Sequence, residues 1–366
     1  MKKNNLFVKM LALFSILFLF SCGNKSTEKV AQDPKNTSTQ NNNSSMVKPV
    51  VLKFASNLKK NDLTGNPAGI ALKYFVDSIE KRTDGHYVVK LYTDSTLGKS
   101  AEEVLGGCQN GSFEMLNYAL GSWGEYTKAF IPMNFSYLYT DSKVVHSLID
   151  GKIGEKMRAD CEKDTGIKVL SFLDVGFRQI TSSNKLIKTP EDMKDFKIRT
   201  MTDPYQIAAM KALGASPTPI NYSELFTALQ QKLVDGQENP IFNILTSKIG
   251  EVQKYMTLSK HNYTFTSIAI SSEVFNKLPK DIQEIFLEEA RNAELLSRKE
   301  LEIKEKEALD KLKESMEVYA PSHDELLEFQ NQAKSSWSLI EKDIGSDYYN
   351  EILEEVKKIE KELDIK

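Results

Sequence analysis

The sequence predicts a two-lobe α/β fold, and three observations support this prediction. Strand-like and helix-like segments alternate from residue 50 onward, and the alternation starts again near residue 176. The last part of the chain is nearly all helix-like and rich in Glu, Lys and Leu. Such alternation is typical of a largely parallel sheet covered by helices. The chain has 366 residues, 40% of them hydrophobic, which is enough for two lobes with cores of their own.

The first alternation has the order β-α-β-α-β. Its segments are the strand VVLKFAS (50–56), the helix PAGIALKYFVDSIEKRTDG (67–85), the strand HYVVKLYTDS (86–95), a helix at about 101–110 and the strand FEMLNYAL (113–120). The first helix has apolar residues at helical spacing, among them Ile70, Tyr74 and Ile79, and it ends at a glycine. This order predicts three neighbouring strands with helices packed on them.

The second alternation follows the segment KDTGIKVLSFLDVG. It consists of a short helix opened by TPED (189–192), the strand FKIRTM (196–201), the helix DPYQIAAMKALG (203–214), the extended piece SPTPI (216–220), the helix YSELFTALQQKL (222–233) and the strand VDGQE (234–238). Thr189 is a favourable N-cap, and Pro190 suits the first helical position. Asn221 and Glu224 predict a start resembling a capping box for the helix at 222–233. From Leu278 to the end the sequence predicts mostly helix, with amphipathic segments in its last part.

The N-terminus predicts an export signal rather than part of the fold. Two lysines precede an apolar run (6–20) that is too short for a comfortable membrane span and typical of a signal-peptide core. The run ends in LFSC, which resembles a bacterial lipobox with an atypical Phe at its second position. We therefore expect residues 1–22 to comprise the signal peptide and a lipidated Cys22 that anchors the chain to the membrane. The alternative is an ordinary cleaved signal with an incidental cysteine. The polar stretch 23–49 holds too few apolar residues to offset its ordering entropy and is predicted to be a flexible linker.

Charge and motif content argue against several classes of function. The formal net charge is −3, or near −6 without the lysines of the leader, so nothing suggests nucleic acid binding. The four histidines are scattered and no Cys pair accompanies them, so we expect no metal site built from a local motif. The sequence contains no Walker A loop, no GxGxxG and no GxSxG, and we expect no cofactor. Cys108 and Cys161 could pair in an exported protein or remain as two buried free thiols.

Arginine usage points to a binding site for an anion. Six of the 48 basic residues are Arg, and two of the six, Arg178 in VGFRQIT and Arg199 in FKIRTM, lie in strand-like, semi-apolar segments. A guanidinium in such a place is partly desolvated and needs a partner, and a carboxylate held by two parallel N–H donors matches it best. Either a ligand or an internal Asp or Glu could supply that carboxylate.

Strand topology brings further candidates to the same place. Ligands of parallel α/β sheets bind beyond the carboxyl ends of the strands. Arg199, Tyr222 and Asn239 lie near the ends of three successive predicted strands. Asn57 and Trp123 follow two strands of the first lobe in the same way. Two such edges facing each other would form a cleft for a small polar anion. The carboxylates of LVDGQENP could instead act as acid and base, although Asp235-Gly236 is equally typical of a turn.

Three stretches make the sequence similar to a known family. They are GFRQITSSNKLIKTPEDMKDFKIRT (176–200), ALGASPTPINYSELFTALQQKLVDGQENP (212–240) and LYTDSTLG (91–98). Through them the chain resembles the solute-binding proteins of tripartite ATP-independent periplasmic (TRAP) transporters, from about Val51 to the C-terminal helices. The resemblance implies a hinged, two-lobe, periplasmic-binding-protein-like fold with a long helix across both lobes. It also implies a small organic-acid ligand and membrane permease subunits as partners at the extracytoplasmic face of the membrane.

The resemblance also assigns roles and boundaries. Arg199 matches the carboxylate-clamping arginine of the family, Arg178 a second arginine near the ligand, and Asn239 a pocket amide. Tyr222 and Asn57 match an aromatic pocket position and a first-lobe contact. Lobe 1 is expected at 50–175 plus about 266–305, and lobe 2 at 176–265 plus about 306–366.

Two positions argue against one ligand, and two other functional classes remain open. Members that bind sialic acid carry acidic residues where this chain has Ser100 and Ala119, so the resemblance disfavours sialic acid. An exported hydrolase or lyase acting on a carboxylated substrate is the main alternative to a receptor. A surface adhesin that uses the lobes as a scaffold is the second alternative.

Overall fold

The structure is a computed structural model and describes residues 48–365. The predicted signal peptide, Cys22 and all but the last two residues of the predicted linker lie outside the described residues. Within 48–365, none of the helices has both the length and the apolar character that a membrane span requires.

The described part of the chain alternates between strands and helices. The strands β1–β10 are Val50–Ser56, Tyr87–Tyr92, Met115–Asn117, Ile167–Ser182, Lys197–Thr200, Ser216–Pro219, Gly236–Pro240, Tyr255–Thr257, Tyr263–Ser271 and Glu317–Tyr319. The helices α1–α13 are Asp62–Gly65, Pro67–Arg82, Ala101–Gln109, Ser142–Asp150, Lys152–Thr165, Pro204–Ala212, Leu225–Gln230, Ile241–Thr246, Ser272–Lys277, Lys280–Lys313, His323–Ala333, Trp337–Ile344 and Ser346–Glu362. The predicted two-lobe α/β fold is confirmed.

The main path of the sheet has the order β2-β1-β3-β9-β4-β7-β5-β6. We call β2, β1, β3, β9 and the first part of β4 the first lobe's sheet, and the last part of β4 with β7, β5 and β6 the second lobe's sheet. β1 is parallel to β2 and β3, and β5 is parallel to β6 and β7. The centre is antiparallel, because β4 carries the chain into the second lobe and β9 carries it back. The prediction of a largely parallel sheet is therefore right at the two ends and wrong in the middle.

Strand β4 connects the two lobes. It pairs with β9 as far as Phe177 and with β7 from Arg178 onward. Its register with β9 is interrupted between Asp174 and Gly176, and Gly176 has a φ of 101°. Residues with a side chain rarely adopt that backbone conformation, so the glycine permits an irregularity at the passage between the lobes.

Helix α10 is the predicted long helix across both lobes. Its 34 residues correspond to a length of about 51 Å. It packs on α2 in the first lobe, on β4, and on α8 in the second lobe. Phe286 of α10 and Phe75 of α2 meet edge to face at 5.8 Å between ring centroids within the first lobe's core.

Two local predictions have different outcomes. The predicted N-cap at Thr189 is present before a 3₁₀ helix, Pro190–Met193, and Thr189 forms a capping box with Asp192. The one proposed at Asn221 does not form. Instead, residues Tyr222–Glu224 make a 3₁₀ turn before α7 begins at Leu225, and the Asn221 side chain caps nothing. The Asn221 side chain is therefore not used as a helix cap.

The two cysteines of the described chain are free and buried. Cys108 lies in α3 and Cys161 in α5, and both belong to the same apolar core. Burial raises the pKa of each thiol to about 12. Of the two open readings, a disulfide or two inert buried thiols, the structure shows the second.

Candidate functional site

A cavity with about 580 Å³ of empty space lies between the carboxyl ends of β1 and β3 in the first lobe and of β5, β6 and β7 in the second. Its lining consists of Asn57, Leu58, Tyr118, Ala119, Ser122, Val175, Arg178, Arg199, Met201, Thr202, Ile220, Asn221, Tyr222, Asn239, Asn243, Thr264 and Thr266. The strand-end argument therefore predicted the location of the cavity.

Five of the six predicted ligand-binding residues line this cavity, and Trp123 does not. After β3 the chain enters a 3₁₀ turn, Leu120–Trp123, and the indole lies in an apolar core with residues from both lobes. There Trp123 is fully buried and packs edge to face on Phe130, with ring centroids 5.4 Å apart. Its neighbour Ser122 occupies the cavity wall instead.

Arg199 presents an unused donor to the cavity. It lies on β5, and its side chain is 1% exposed. Nε and Nη2 donate to the carbonyl oxygen of Ile220, at 2.8 and 2.6 Å. Nη1 is buried and has no hydrogen-bond partner among the described residues. Burial lowers the pKa of Arg199 to about 10, partly offset by Glu238, so the group stays charged at neutral pH.

Arg178, by contrast, is largely committed to protein partners. Its Nε and Nη2 form a buried ion pair with the Glu238 carboxylate, and Nη2 also donates to the Asn239 Oδ1 at 3.3 Å. Nη1 donates to Thr264 Oγ1 at 3.1 Å. β4 and β7 are antiparallel neighbours here, which brings these groups together. Of the two carboxylate sources that the sequence left open, Arg178 uses an internal acid, whereas Nη1 of Arg199 contacts no acid within residues 48–365.

Glu238 is the centre of a buried polar network behind the cavity. Gln206 Nε2 donates to its Oε2 at 2.8 Å, and His261 Nε2 lies 3.2 Å from the same oxygen. Burial alone would raise the pKa of Glu238, but Arg178 and His261 outweigh it and hold that pKa below its ordinary value. Burial lowers the pKa of His261, although Glu238 opposes the shift. The network fixes the Arg178 guanidinium in one orientation.

The segment LVDGQENP (233–240), which contains β7, therefore supplies both structure and lining. Gly236 fits because a Cβ there would lie 2.1 Å from the Thr181 carbonyl oxygen. Asn239 lines the cavity, its Nδ2 donates to Gln237 Oε1, and its Oδ1 accepts from Asn243 Nδ2 at 3.4 Å. The strand predicted at 234–238 is observed at Gly236–Pro240, and α8 begins at Ile241.

Sequence reasoning missed several lining residues. Thr264 and Thr266 lie on β9, in a segment for which we made no structural prediction, and Asn243 lies on α8. The available signal was a pair of threonines at positions i and i+2 of an otherwise apolar segment, because in a strand this spacing puts both side chains on the same face. Ser100 caps α3 and is outside the lining, whereas Ala119 is part of it.

Asp203 is a buried carboxyl group beside this site, and its pKa is raised. It caps α6 by accepting the N–H groups of Tyr205 and Gln206, and Asn134 Nδ2 lies 3.4 Å away. Burial raises the pKa of Asp203 from 3.8 to about 7, against the effect of the two helix N–H groups. In the folded chain this carboxyl therefore stays protonated through a pH range in which the unfolded chain releases the proton.

We expect Asp203→Asn to remove a pH-dependent loss of stability. A folded-state pKa above the unfolded value means that the contribution of Asp203 to the free energy of unfolding is present below about pH 4 and is lost as pH rises toward about 7. Asn keeps the capping oxygen and stays neutral. Above pH 7 the free energy of unfolding of the variant should therefore exceed that of the wild type by about a few kcal/mol. Urea denaturation at pH 5 and pH 8 measures this difference. An advantage that does not grow with pH would contradict the assignment.

The residues 48–365 contain no cluster of His, Cys, Asp and Glu suited to a metal ion. What they contain, beneath the gap between two lobes, is a charged guanidinium with an open N–H donor. This arrangement suits the binding of an anion.

Comparison with known proteins agrees with this geometry. The family described as "Bacterial extracellular solute-binding protein, family 7" matches residues 59–343. The chain belongs to this family. Among its relatives, the 2,3-diketo-L-gulonate-binding periplasmic protein YiaO of Escherichia coli is 33% identical over 246 residues, covering 67% of this chain and 74% of that protein. The C4-dicarboxylate-binding periplasmic protein DctP of Rhodobacter capsulatus is 33% identical over 239 residues, covering 65% and 70%.

Solved structures lead to the same family. The sugar acid binding protein DctPAm of Advenella mimigardefordensis, in complex with galactonate, has a TM-score of 0.80 at 30% identity, covering 86% of this chain and 99% of that one. A TRAP periplasmic solute binding protein of Shewanella oneidensis with bound succinate has a TM-score of 0.79 at 26% identity, covering 85% and 99%. The predicted resemblance is confirmed. The family consists of receptors of TRAP transporters rather than enzymes; its members work with membrane permease subunits and are extracytoplasmic.

Proposed function

We propose that this receptor binds its organic-acid ligand through a carboxylate held by Arg199. The observation that carries the proposal is the buried Nη1 of Arg199, a residue of the cavity lining, because this nitrogen has no hydrogen-bond partner within residues 48–365. Leaving such a donor unsatisfied costs free energy, and a ligand carboxylate removes that cost. Since Nε and Nη2 already hold Ile220, the end of the guanidinium formed by Nη1 and Nη2 is the side available for a two-oxygen contact.

Asn57, Tyr222 and Asn239 are proposed as the further ligand contacts, with Arg178 contributing one remaining N–H. Tyr222 is held in place by a 2.5 Å hydrogen bond between its hydroxyl and Ser247 Oγ. Asn57 is partly exposed in the cavity wall and faces the second lobe's residues across it. Because Trp123 is buried in the core, we assign it a packing role and no ligand contact.

We further propose that the lobes close around the ligand about the crossing strands. The lobe boundaries in this proposal remain 50–175 plus about 266–305 and 176–265 plus about 306–366. The irregular stretch of β4 at Asp174–Gly176 would serve as one hinge element. Contacts that the ligand makes with both lobes favour the closed state, and the permease would recognise that state.

One direct contact already joins the lobes across the cavity's edge. Asn66 Nδ2, in the first lobe, donates to Asn243 Oδ1 of α8 in the second lobe at 3.0 Å. Asn66 also caps α2, because its Oδ1 accepts the N–H of Ala68 at 3.0 Å. The Asn66 oxygen therefore has a structural role as a helix cap, whereas its Nδ2 makes a hydrogen bond that can form only while the two lobes are in contact.

Replacing Asn66 with Ser should weaken ligand binding without harming the lobe. Serine keeps an N-cap oxygen but cannot donate across to Asn243, so we expect affinity to fall about two- to tenfold, the value of one hydrogen bond. Asn61→Ser is the matched control, since the Asn61 side chain caps nothing. Isothermal titration calorimetry measures the affinities. Equal affinity in Asn66→Ser and in the wild type would remove this contact from the closing mechanism.

Membrane attachment through Cys22 is a separate proposal. The LFSC sequence after an apolar run supports it. Mass spectrometry of the mature N-terminus tests it, and a mature chain that begins elsewhere or carries an unmodified Cys22 would refute it.

The ligand itself can be identified from the protein. Native mass spectrometry of chain purified without refolding, followed by release of the bound molecule, should yield a carboxylic acid. A released ligand without a carboxylate would contradict the proposed function.

A further inference from the structure

We infer that the cavity selects a polyhydroxylated monocarboxylate, an acid of the sugar-acid class, over dicarboxylates and amino acids. The inference rests on the proposed function, because it takes Arg199 as the carboxylate site. Three properties of the lining carry it: the number of uncommitted charges, the absence of an acid, and the distribution of free neutral polar groups.

The lining offers net charge for one carboxylate. Arg178 and Arg199 are the charged residues among the lining, all of which belongs to the described part of the chain. The charge of Arg178 is neutralised by Glu238, and each of its three nitrogens already donates to a protein oxygen. A second ligand carboxylate would thus be buried against an already neutral pair, which is strongly unfavourable.

No carboxylate of residues 48–365 lines the cavity. Glu238 and Asp203, two acids beside the cavity, are both buried, the first in its ion pair with Arg178 and the second as the cap of α6. An amino-acid ligand would bring an ammonium group that needs an acidic partner or several carbonyl oxygens. The hydroxyl groups of a ligand, in contrast, need neither an acidic partner nor a second cation.

Neutral side chains with unused hydrogen-bonding groups fill the rest of the polar wall. The hydroxyl of Thr266 is buried and has no partner among the described residues. Asn57, Ser122, Thr202 and Asn221 line the same cavity. Amides and hydroxyls both donate and accept, which matches an alcohol group. These residues come from both lobes, so a chain of hydroxyl-bearing carbons extending from Arg199 could be contacted along its length.

The apolar part of the wall fits the carbon backbone of such a ligand. Leu58, Val175, Met201 and Ile220 are lining residues, together with the rings of Tyr118 and Tyr222. A sugar acid presents C–H groups between its hydroxyls, and these can pack on apolar surface while the hydroxyls meet the polar side chains. A wall of this mixed kind suits a hydroxylated acid better than a plain hydrocarbon acid.

Calorimetric titration with four-carbon acids tests the inference at constant ligand size. D-erythronate has one carboxylate and hydroxyls, succinate two carboxylates, butyrate one carboxylate alone, and 2-aminobutyrate a carboxylate with an ammonium group; galactonate adds a longer hydroxy acid. We expect D-erythronate or galactonate to bind at least about tenfold more tightly than the other three, as one or more extra hydrogen bonds would give. If succinate or 2-aminobutyrate binds as tightly as the hydroxy acids, the selectivity is wrong while carboxylate binding stands. If the folded protein binds none of the five acids, both the inferred selectivity and the proposed function are wrong.

A pair of variants on β9 tests the hydroxyl contact directly. Thr266→Val keeps the shape and removes the hydroxyl, so we expect the affinity for the preferred hydroxy acid to fall about tenfold. Ser267→Ala is the matched control, because Ser267 also has a buried hydroxyl without a partner among the described residues but lies outside the lining. An unchanged affinity in Thr266→Val, or an equal loss in both variants, would overturn the assignment of Thr266.

Discussion

Arg199→Lys should weaken ligand binding by about 1–3 kcal/mol, roughly 5- to 150-fold in affinity, and Arg199→Ala should weaken it further. Lysine keeps the positive charge but loses the fork that holds the Ile220 carbonyl oxygen and that, in the proposed complex, would also hold the ligand's carboxylate. In addition, Arg199 is 1% exposed, and desolvation at a site of this burial makes the charged form of a lysine less favourable. Calorimetric titration with the natural or preferred acid measures the effect.

The control for this prediction is Arg82→Lys. Arg82 pairs with Glu288 and Glu289 on the surface of the first lobe and lies outside the cavity lining. Its replacement should leave the ligand affinity unchanged, because a lysine can still pair with those carboxylates. Thermal denaturation of each variant without ligand separates a binding defect from a folding defect.

The largest effect on stability is expected for Glu238→Gln. This change leaves the Arg178 guanidinium charged and fully buried without its carboxylate, and it weakens the contacts with Gln206 and His261. Removing one partner of a buried ion pair typically costs about 3–5 kcal/mol in the free energy of unfolding. Urea denaturation at neutral pH, where Glu238 is ionised, measures the loss.

A double variant and a surface variant complete the test of Glu238. Arg178→Met with Glu238→Leu removes both charges, so it should recover much of the stability lost in Glu238→Gln, since buried pairs can be replaced by apolar groups at little cost. Glu273→Gln breaks an exposed pair with Lys277 and should barely change stability. If Glu238→Gln is as stable as the wild type, the pair is not the structural element that the geometry indicates.

The position of the cavity was predictable because strand ends are visible in the sequence. Arg199, Tyr222 and Asn239 each follow or end a segment with clear strand and helix signals, and parallel strands present their carboxyl ends at one edge. Asn57 was predictable for the same reason in the first lobe. These local signals suffice to place a residue at an edge.

What happens beyond the strand end depends on packing that no local pattern records. Trp123 follows β3 as predicted, yet the 3₁₀ turn directs its ring into the core and leaves Ser122 at the cavity. Arg178 meets Glu238 because β4 and β7 pair across 60 positions of sequence. The antiparallel centre of the sheet, with Thr264 and Thr266 on β9, likewise follows from the path of the chain between the lobes.

The central claim is that the Arg199 guanidinium binds the ligand's carboxylate between the lobes. A crystal structure of the protein with the acid that it retains on purification tests this claim most directly. The account predicts a carboxylate oxygen within hydrogen-bonding distance of Arg199 Nη1, with Asn239 and Tyr222 also in contact with the ligand. A ligand bound elsewhere, or an Arg199 whose Nη1 turns to an internal acid in the ligand complex, would contradict it.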